Sequence, residues 1–258
     1  MSMQLPVVFL SHGAPTLAVQ QTEETRAWAK LAQELPRPRA IVAVSAHWDT
    51  DTPMASGAQK PETIHDFNGF PRELYEQRYP APGAPDTAQR VAKELTRAGI
   101  GCGVDPARGL DHGAWVPLKW MYPQADIPVT QLSVQSRRGA RHHYELGRAL
   151  APLREEGVLI LASGGIVHNL REIQWQAQRP EAWAEEFNDW MATRVQGAGL
   201  EDLLDYRKLA PSAVRSHPTD EHLEPFFVAL GAGGIEKARR IDLGLVMGTL
   251  GMDSYVFG

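Results

Sequence analysis

The stretch that decides the fold is "PVVFLSHGAP", residues 6–15, in which a short apolar run leads directly into Ser11, His12 and Gly13. A second stretch, "AIVAVSAHW" at residues 40–48, repeats this arrangement and carries an apolar run into His47. Short apolar runs that are rich in β-branched residues are typical of strands buried on both faces. The repeat therefore predicts two buried strands that each end close to a histidine.

Strands and helices are expected to alternate along the chain. Apolar runs predict strands at 7–10, 41–45, 128–134 and 158–162. Helical periodicity predicts helices at 23–35, at 86–98 with Asp86 as N-cap, at 140–155 and at 181–196. This alternation favours an α/β fold with a mostly parallel central sheet flanked by helices, and an active site at the carboxyl ends of the strands. We expect one catalytic domain over 1–258, with long irregular segments at 52–84 and 101–126.

The composition narrows the possible partners and ligands. A formal charge of −5 argues against nucleic acid or an anionic membrane as a partner, although it predicts no particular oligomeric state. Cys102 is the only cysteine, so any metal must be held by nitrogen and oxygen ligands. Residues 1–10 do not resemble a signal peptide, and no apolar run approaches the ~20 residues that cross a bilayer. We therefore expect a cytoplasmic protein.

A third histidine follows a buried strand in "GVLILASGGIVHNL", residues 157–170, where a glycine turn leads to His168. Ligands of parallel α/β sheets collect outside the carboxyl ends of the strands, so His12, His47 and His168 can converge there. Each of them alone could be an ordinary loop histidine. Three histidines that each follow a buried strand favour a shared site.

A fourth histidine lies in "SHPTDEHLEPFFVALG", residues 216–231. With Thr219 as the N-cap of a helix, His222 would occupy the third helical position, where the helix dipole favours a neutral ring. A neutral imidazole is the form that binds a metal. His217 is the rival histidine in this segment.

A further candidate segment is "RGLDHGAWVPL", residues 108–118, which holds His112 near Trp115 in an irregular region. We expect His112 to have a functional role next to an aromatic substrate; an Asp-capped turn is the alternative. Trp48, Phe70 and Trp115 are candidate walls for such a substrate, with core packing as the alternative for each. The weaker candidates are His65, in a possible lid, and His142 and His143, which we expect to be solvated.

A site with about three nitrogen or oxygen ligands and open positions suits a catalytic zinc or a non-haem iron(II). Zinc would support a hydrolase, and iron would support chemistry with O2. A metal-binding protein without catalytic activity is the third possibility. The residue pattern by itself does not choose among these.

Six motifs in a fixed order make a more specific case: "LSHGAP", "SAHW", "TIHDFNGFP", "GLDHGAW", "ASGGIVHNL" and "PTDEHLEPFFVALGA". Together they resemble the class III extradiol ring-cleavage dioxygenases, and within them the single-chain DOPA 4,5-dioxygenase branch. The resemblance implies a mononuclear non-haem Fe(II) site that opens a catechol ring with O2, by 4,5-cleavage of a DOPA-like substrate. A zinc-dependent hydrolase on the same histidines is the alternative.

The resemblance also implies roles for individual residues. His12, His47 and His222 match metal ligands. His168 matches the acid–base catalyst, which can itself reach a bound zinc, and His112 matches a pocket histidine that contacts the substrate or the dioxygen adduct. All five are histidines that the motifs contain.

The third ligand departs from the better-studied protocatechuate branch, which uses a glutamate. Glu221 or His217 therefore remains an alternative to His222. A set of three histidines should make ferrous iron harder to oxidise. Because zinc stands higher in the affinity order of divalent metals, we expect zinc in purified protein.

Overall fold

The computed structural model describes residues 4–177 and 179–258, so the first three residues of the N-terminal segment lie outside it. In chain order the strands are β1 Val7–Ser11, β2 Ala40–Asp49, β3 Met54–Ser56, β4 Gly103–Asp105, β5 Val129–Val134, β6 Val158–Gly164, β7 Arg239–Ile241, β8 Leu245–Val246, β9 Leu250–Gly251 and β10 Ser254–Phe257. The helices are α1 Glu23–Glu34, α2 Arg72–Tyr75, α3 Pro85–Arg97, α4 His112–Met121, α5 Gly139–Leu150, α6 Ala182–Gln196, α7 Leu200–Leu204, α8 Tyr206–Leu209, α9 Ala213–Ser216 and α10 Glu224–Gly233.

Eight strands form the main sheet, in the order β4-β3-β5-β2-β6-β1-β10-β7. The four central strands, β5, β2, β6 and β1, are parallel, whereas β3 and β10 run antiparallel to their central neighbours. The α/β fold with a mostly parallel sheet is therefore confirmed. Because β2, β6 and β1 are adjacent and parallel, their carboxyl ends lie along one edge of the sheet.

The sheet is buried on both faces. In β1, Val7 and Phe9 face a core built with α3, α5, α6 and α10, while Val8 and Leu10 face a second core built with α1 and α4. Strands covered on both sides need apolar residues at every position, which accounts for the continuous apolar runs of the sequence. Among the described residues, no helix has the length and apolar character needed to cross a membrane.

Several expected boundaries differ from the structure. The helix expected at 86–98 begins at Pro85, so Asp86 lies in its first turn and does not cap it. The helix expected at 140–155 ends at Leu150 and continues as a 3-10 turn to Glu156. The segment 101–126, expected to be irregular, contains β4 and α4.

Two expectations about histidines were also wrong. His222 does not lie inside a helix, because α10 begins only at Glu224, after a turn in which the Leu223 N–H bonds to the Asp220 carbonyl. His143, expected in solvent, is fully buried: its Nε2 accepts a hydrogen bond from the Gln135 N–H at 3.0 Å.

Phe226 of α10 joins this helix to the sheet. Its ring is fully buried and lies edge-on to Phe9 and Tyr255, with centroid separations of 5.4 and 5.5 Å. We expect Phe226→Ala to lower the free energy of unfolding by about 3–5 kcal/mol, because a large cavity would open between helix and sheet. Urea unfolding measures the loss. The control, Val214→Ala at an exposed position, should change stability by less than ~0.5 kcal/mol; equal losses in both would contradict the assignment.

Candidate metal centre

Three histidines from distant parts of the chain meet at the carboxyl edge of the sheet. His12 directly follows β1, His47 lies near the end of β2, and His222 lies in the turn before α10. The ring centroids of His12 and His47 are 4.9 Å apart, and those of His47 and His222 are 5.0 Å apart. One ring nitrogen of each lies within 4.8 Å of the others. The structure therefore brings together the three residues expected as metal ligands.

A break in strand pairing directs His47 into this cluster. β2 and β5 pair regularly up to Val44, and pairing resumes only at Asp49. An irregularity of this kind bends the strand and changes the direction of its side chains. The strand expected at 41–45 thus continues past His47, and the irregular part carries the histidine.

The hydrogen bonds of His12 determine which of its nitrogens carries the proton. Its Nδ1 lies 3.0 Å from Ser163 Oγ, and the Ser163 hydroxyl donates its own hydrogen to the Gly113 carbonyl. Ser163 Oγ must therefore accept the hydrogen of His12 Nδ1. As a result, Nε2 of His12 carries a free lone pair.

The other two rings are held by carboxylates in the same way. His47 Nδ1 lies 3.3 Å from Asp66 Oδ2, and His222 Nδ1 lies 3.1 Å from Glu221 Oε1. A carboxylate can only accept, so His222 Nδ1 donates to Glu221 and its Nε2 keeps the lone pair. The Asp66 carboxylate beside His47 Nδ1 favours the same tautomer for that ring. Carboxylates commonly orient metal-binding imidazoles in this manner.

The three Nε2 lone pairs require a partner that the described residues do not supply. Nε2 of His12 and Nε2 of His47 are 3.0 Å apart, and Nε2 of His222 is buried without a hydrogen-bond partner among the described residues. Buried lone pairs of this kind are costly unless they are satisfied. A divalent cation would satisfy all three at once. The residues present therefore fit a metal held by three neutral imidazoles.

Burial keeps these rings neutral. Loss of solvent, followed by the proximity of other histidines, lowers the pKa of His12 and of His222 well below the ordinary range. Burial likewise lowers the pKa of His47 and of His168 to about 4. At neutral pH all four are in the form that binds metals.

Gly164, the last residue of β6, allows the His222 segment to approach the sheet. A Cβ atom at this position would lie 2.0 Å from the His222 carbonyl oxygen. That same oxygen accepts a hydrogen bond of 2.8 Å from the Gly165 N–H. The glycine turn that the sequence places before His168 thus also positions His222.

His168 and the rival ligands occupy different places. The ring of His168 stacks on that of His222, with centroids 3.4 Å apart and planes at 8°, and it is partly exposed. His168 is not one of the three converging rings. His217 is fully buried away from them, with its Nε2 bonded to the Ile166 carbonyl at 2.7 Å. Glu221 Oε1 accepts a hydrogen bond from Nδ1 of His222, so Glu221 supports the orientation of the His222 ring in this structure.

Asp66 is a site residue that the sequence reasoning missed. Its Oδ2 lies 3.0 Å from His112 Nδ1 as well as near His47, and its Oδ1 accepts from the His112 N–H at 2.9 Å. Burial alone would raise the pKa of Asp66, but the hydrogen bonds and charge of His112 lower it to about 2. The signal available in the sequence was an aspartate in the motif "TIHDFNGFP", within a long irregular segment.

Asp111 caps α4 and fixes the position of the neighbouring His112. Its Oδ1 accepts hydrogen bonds from the Ala114 N–H and from Ser45 Oγ, at 3.3 and 2.6 Å. Its Oδ2 accepts from Arg108, at 2.8 Å, and the side chain is fully buried. The Asp-capped turn considered as an alternative is therefore present, and it places His112 beside His47, at a centroid distance of 3.9 Å.

A cavity of about 370 Å³ opens above the cluster, a size that suits a small aromatic ligand. Of the three expected aromatic walls, Phe70 lines this cavity and the two tryptophans do not. Trp115 is fully buried behind it, with its Nε1 donating to the Ile64 carbonyl at 2.9 Å. Trp48 packs under the guanidinium of Arg108, at 5.1 Å. Their placement as pocket walls was wrong, because both contribute to packing below the site.

The fold and the histidine cluster define a class: an α/β protein with a cluster of histidines that fits a metal site at the carboxyl edge of a parallel sheet. The family model described as "Catalytic LigB subunit of aromatic ring-opening dioxygenase" matches residues 6–258. The chain belongs to this family, the class III extradiol dioxygenases, and within it to the DOPA branch. It is an oxidoreductase of a family that uses a non-haem metal.

Relatives of similar length support the assignment. The "4,5-DOPA dioxygenase extradiol" of Escherichia coli K12 is 42% identical over all of this chain and 96% of its own length. The Beta vulgaris enzyme with the same name is 41% identical over 96% of this chain and 95% of its own. A crystal structure of an uncharacterized protein from Escherichia coli K12 superposes with a TM-score of 0.81, at 37% identity, over 98% of this chain and 100% of that one.

Asp66 provides a test of the metal centre. We expect Asp66→Asn to weaken zinc binding by about tenfold to a hundredfold, because the carboxylate that orients His47 is lost. Competition with a chromogenic chelator measures the dissociation constant. The control is Asp126→Asn, which removes a carboxylate from an exposed ion pair with Arg37. Unchanged zinc affinity in Asp66→Asn would contradict a supporting role.

Proposed function

We propose that the protein is an extradiol dioxygenase that opens the ring of a DOPA-like catechol with O2, by 4,5-cleavage. The observation that carries the proposal is the convergence of three imidazole lone pairs at the base of a cavity of ring size. Two relatives that match almost the whole chain carry the name 4,5-DOPA dioxygenase, which supports this substrate class and this position of cleavage.

The proposed working metal is Fe(II), held by His12, His47 and His222. When bound, it would supply adjacent open positions for the two catechol oxygens and O2, and the redox exchange between them. Zinc, with no accessible redox change, would occupy the same nitrogens in purified protein without supporting oxygen chemistry. Fe(II) is therefore the metal to be added before activity is measured.

His168 is the proposed acid–base residue. It lines the cavity and stacks on a ligand ring, so it lies beside the place where a catechol hydroxyl would bind. Its ring is neutral and partly exposed, so it can take the hydroxyl proton and exchange it with solvent. We also propose that the His168 ring can reach the metal when zinc is bound.

His112 is proposed to contact the substrate. Its Nδ1 is committed to Asp66, which leaves Nε2 for a hydrogen bond with a catechol oxygen. The hydrogen bonds to Asp66 and the cap formed by Asp111 hold this ring in place. Phe70, which also lines the cavity, would pack against the aromatic ring of the substrate.

Oxygen consumption tests the proposed reaction. We expect protein reconstituted anaerobically with Fe(II) to consume one O2 per catechol and to form a yellow, ring-opened product. Protein loaded with zinc should consume none. Turnover of an ester or amide without O2, in the absence of catechol cleavage, would instead support the zinc-dependent hydrolase.

Single substitutions test the proposed roles. We expect His12→Ala and His47→Ala to lose both metal and activity, and His168→Ala to retain metal while kcat falls at least ~100-fold. His222→Ala should weaken metal binding more than His217→Ala or Glu221→Ala. His142→Ala, on α5 outside the cavity, is the histidine control. Near-full turnover in His168→Ala would exclude it as the base, and the reverse order of metal affinities would reassign the third ligand.

A further inference from the structure

The ring of His168 is held differently from other rings of the cluster. Nδ1 of His12, of His112 and of His222 bonds to a neighbouring side chain, whereas within residues 4–177 and 179–258 no side chain bonds to the His168 ring. The ring is stacked on His222, at a centroid distance of 3.4 Å. The backbone around His168 must therefore determine where the proposed base lies over the cavity.

The backbone that carries His168 is clamped by a second segment, residues 215–217. The His168 N–H donates to the Ser216 carbonyl at 3.0 Å. Asn169 Nδ2 donates to the Arg215 carbonyl at 2.7 Å. The residue that bears the proposed base and the residue after it are therefore both bonded to this segment.

His217 supplies the third bond of the clamp. Its Nε2 donates to the Ile166 carbonyl at 2.7 Å, on the other side of His168. The His217 ring is fully buried and packs against Phe187 and Tyr206, with centroid separations of 5.6 and 6.5 Å. Because a packed side chain in a protein interior has little freedom to move, the donor has a fixed position.

A histidine is an unfavourable residue for this buried position. Nδ1 of His217 has no hydrogen-bond partner among the described residues, and burial lowers the pKa of the ring to about 3, so the ring is neutral. A buried polar group with an unsatisfied nitrogen is less favourable than an apolar side chain of similar volume. Among the described contacts, the bond from Nε2 to the turn is what distinguishes His217 from such an apolar residue.

We propose that His217 is a positioning residue for His168: by bonding to the Ile166 carbonyl, it fixes the turn at residues 166–169 that carries the proposed base. The inference rests on the proposed function. It gives His217 a role in the reaction that does not involve binding the metal.

The chain between His217 and the metal-site histidine His222 has supports of its own. Arg207 donates to the His217 carbonyl and pairs with Asp220, at 3.0 Å. The Tyr206 hydroxyl also donates to Asp220, at 3.0 Å. Because these bonds do not use the His217 ring, its loss should disturb His168 more than His222.

Replacement of His217 tests the bond to the turn. With the Fe(II) enzyme and DOPA as substrate, we expect His217→Leu to lower kcat about tenfold or more, because a small displacement of a catalytic group lowers the rate strongly. KM and the dissociation constant for zinc should change less than about threefold, since the metal ligands keep their supports. His217→Gln, whose amide can donate to the same carbonyl, should recover most of kcat. Unchanged kcat in His217→Leu, a tenfold weaker zinc affinity, or no recovery in His217→Gln would overturn the inference.

A double-mutant cycle separates the positioning of His168 from a general weakening of the fold. If His217 acts through His168, then His217→Leu should change kcat by less than about twofold in an enzyme that already carries His168→Ala. The same loss in both backgrounds would overturn the inference.

Hydrogen exchange tests the clamp without turnover. The His168 amide is protected by its bond to Ser216, so zinc-loaded His217→Leu should exchange the amides of residues 166–169 about fivefold faster or more than the wild type. The control, Thr130→Val, also removes a buried side-chain bond to a carbonyl, at 2.7 Å from Thr130 Oγ1 to Ser56, and lies outside the cavity. It should change neither the exchange of the turn nor kcat. Wild-type exchange in His217→Leu would overturn the inference.

Asn169→Ser tests the same clamp if His217→Leu does not fold. The shorter side chain loses the bond to the Arg215 carbonyl, while serine remains a favourable cap for the 3-10 turn that follows. We expect faster exchange and a lower kcat with unchanged zinc affinity, and wild-type values of both would overturn the inference. If the wild-type Fe(II) enzyme cleaves no catechol, the proposed function fails, whereas the exchange rates still decide whether His217 holds the turn.

Discussion

The constraint on which the structure depends is the burial of three imidazole lone pairs directed at one point. Ser163 and Glu221 accept hydrogen bonds from Nδ1 of His12 and of His222, and the Asp66 carboxylate lies 3.3 Å from Nδ1 of His47, so the free lone pairs are on Nε2. Nothing among the described residues donates to Nε2 of His222, and the Nε2 atoms of His12 and His47 face each other at 3.0 Å. Without a cation such an arrangement is unfavourable, so hydrophobic packing elsewhere must offset its cost.

The scaffold imposes this geometry through backbone as much as through side chains. Adjacent parallel strands bring His12 and His47 to one edge, and the glycine at the end of β6 lets the His222 carbonyl approach within hydrogen-bond distance of Gly165. α10 then packs on β6 and α5, so the segment that carries His222 is anchored on its far side by a buried core. Each of the three converging histidines therefore comes from a different part of the fold, and a shift of one part would misplace one nitrogen.

The sequence predicts some of these features well, and the reasons differ from residue to residue. The strands that lead to His12 and His47 are buried on both faces, so their apolar runs are continuous and easy to recognise in the sequence. Because these strands are parallel, their carboxyl ends, and the two histidines, were expected at the same edge of the sheet. For His222 the expected local structure was wrong, although the ring does lie in the cluster, because the helix has Leu223 and not Thr219 as its N-cap and carries Pro225 in its first turn. His143 was misjudged because its helix is polar in composition, whereas the ring is buried between the turn at Gln135 and Glu224 of α10. Asp66 could not be found by periodicity, since it lies in a segment without regular structure.

The position of Asp66 has a further consequence for the charges of the site. Three neutral imidazoles bring no negative charge to a divalent cation, and the carboxylate of Asp66 stands behind one of them, with its Oδ2 3.3 Å from His47 Nδ1. The same oxygen, Oδ2, also accepts from His112. His112 Nδ1 and the His112 N–H both bond to this one carboxylate, so Asp66 has little freedom to move relative to His112. Because the same carboxylate stands beside His47, one side chain from an irregular segment constrains two neighbouring rings of the cluster together.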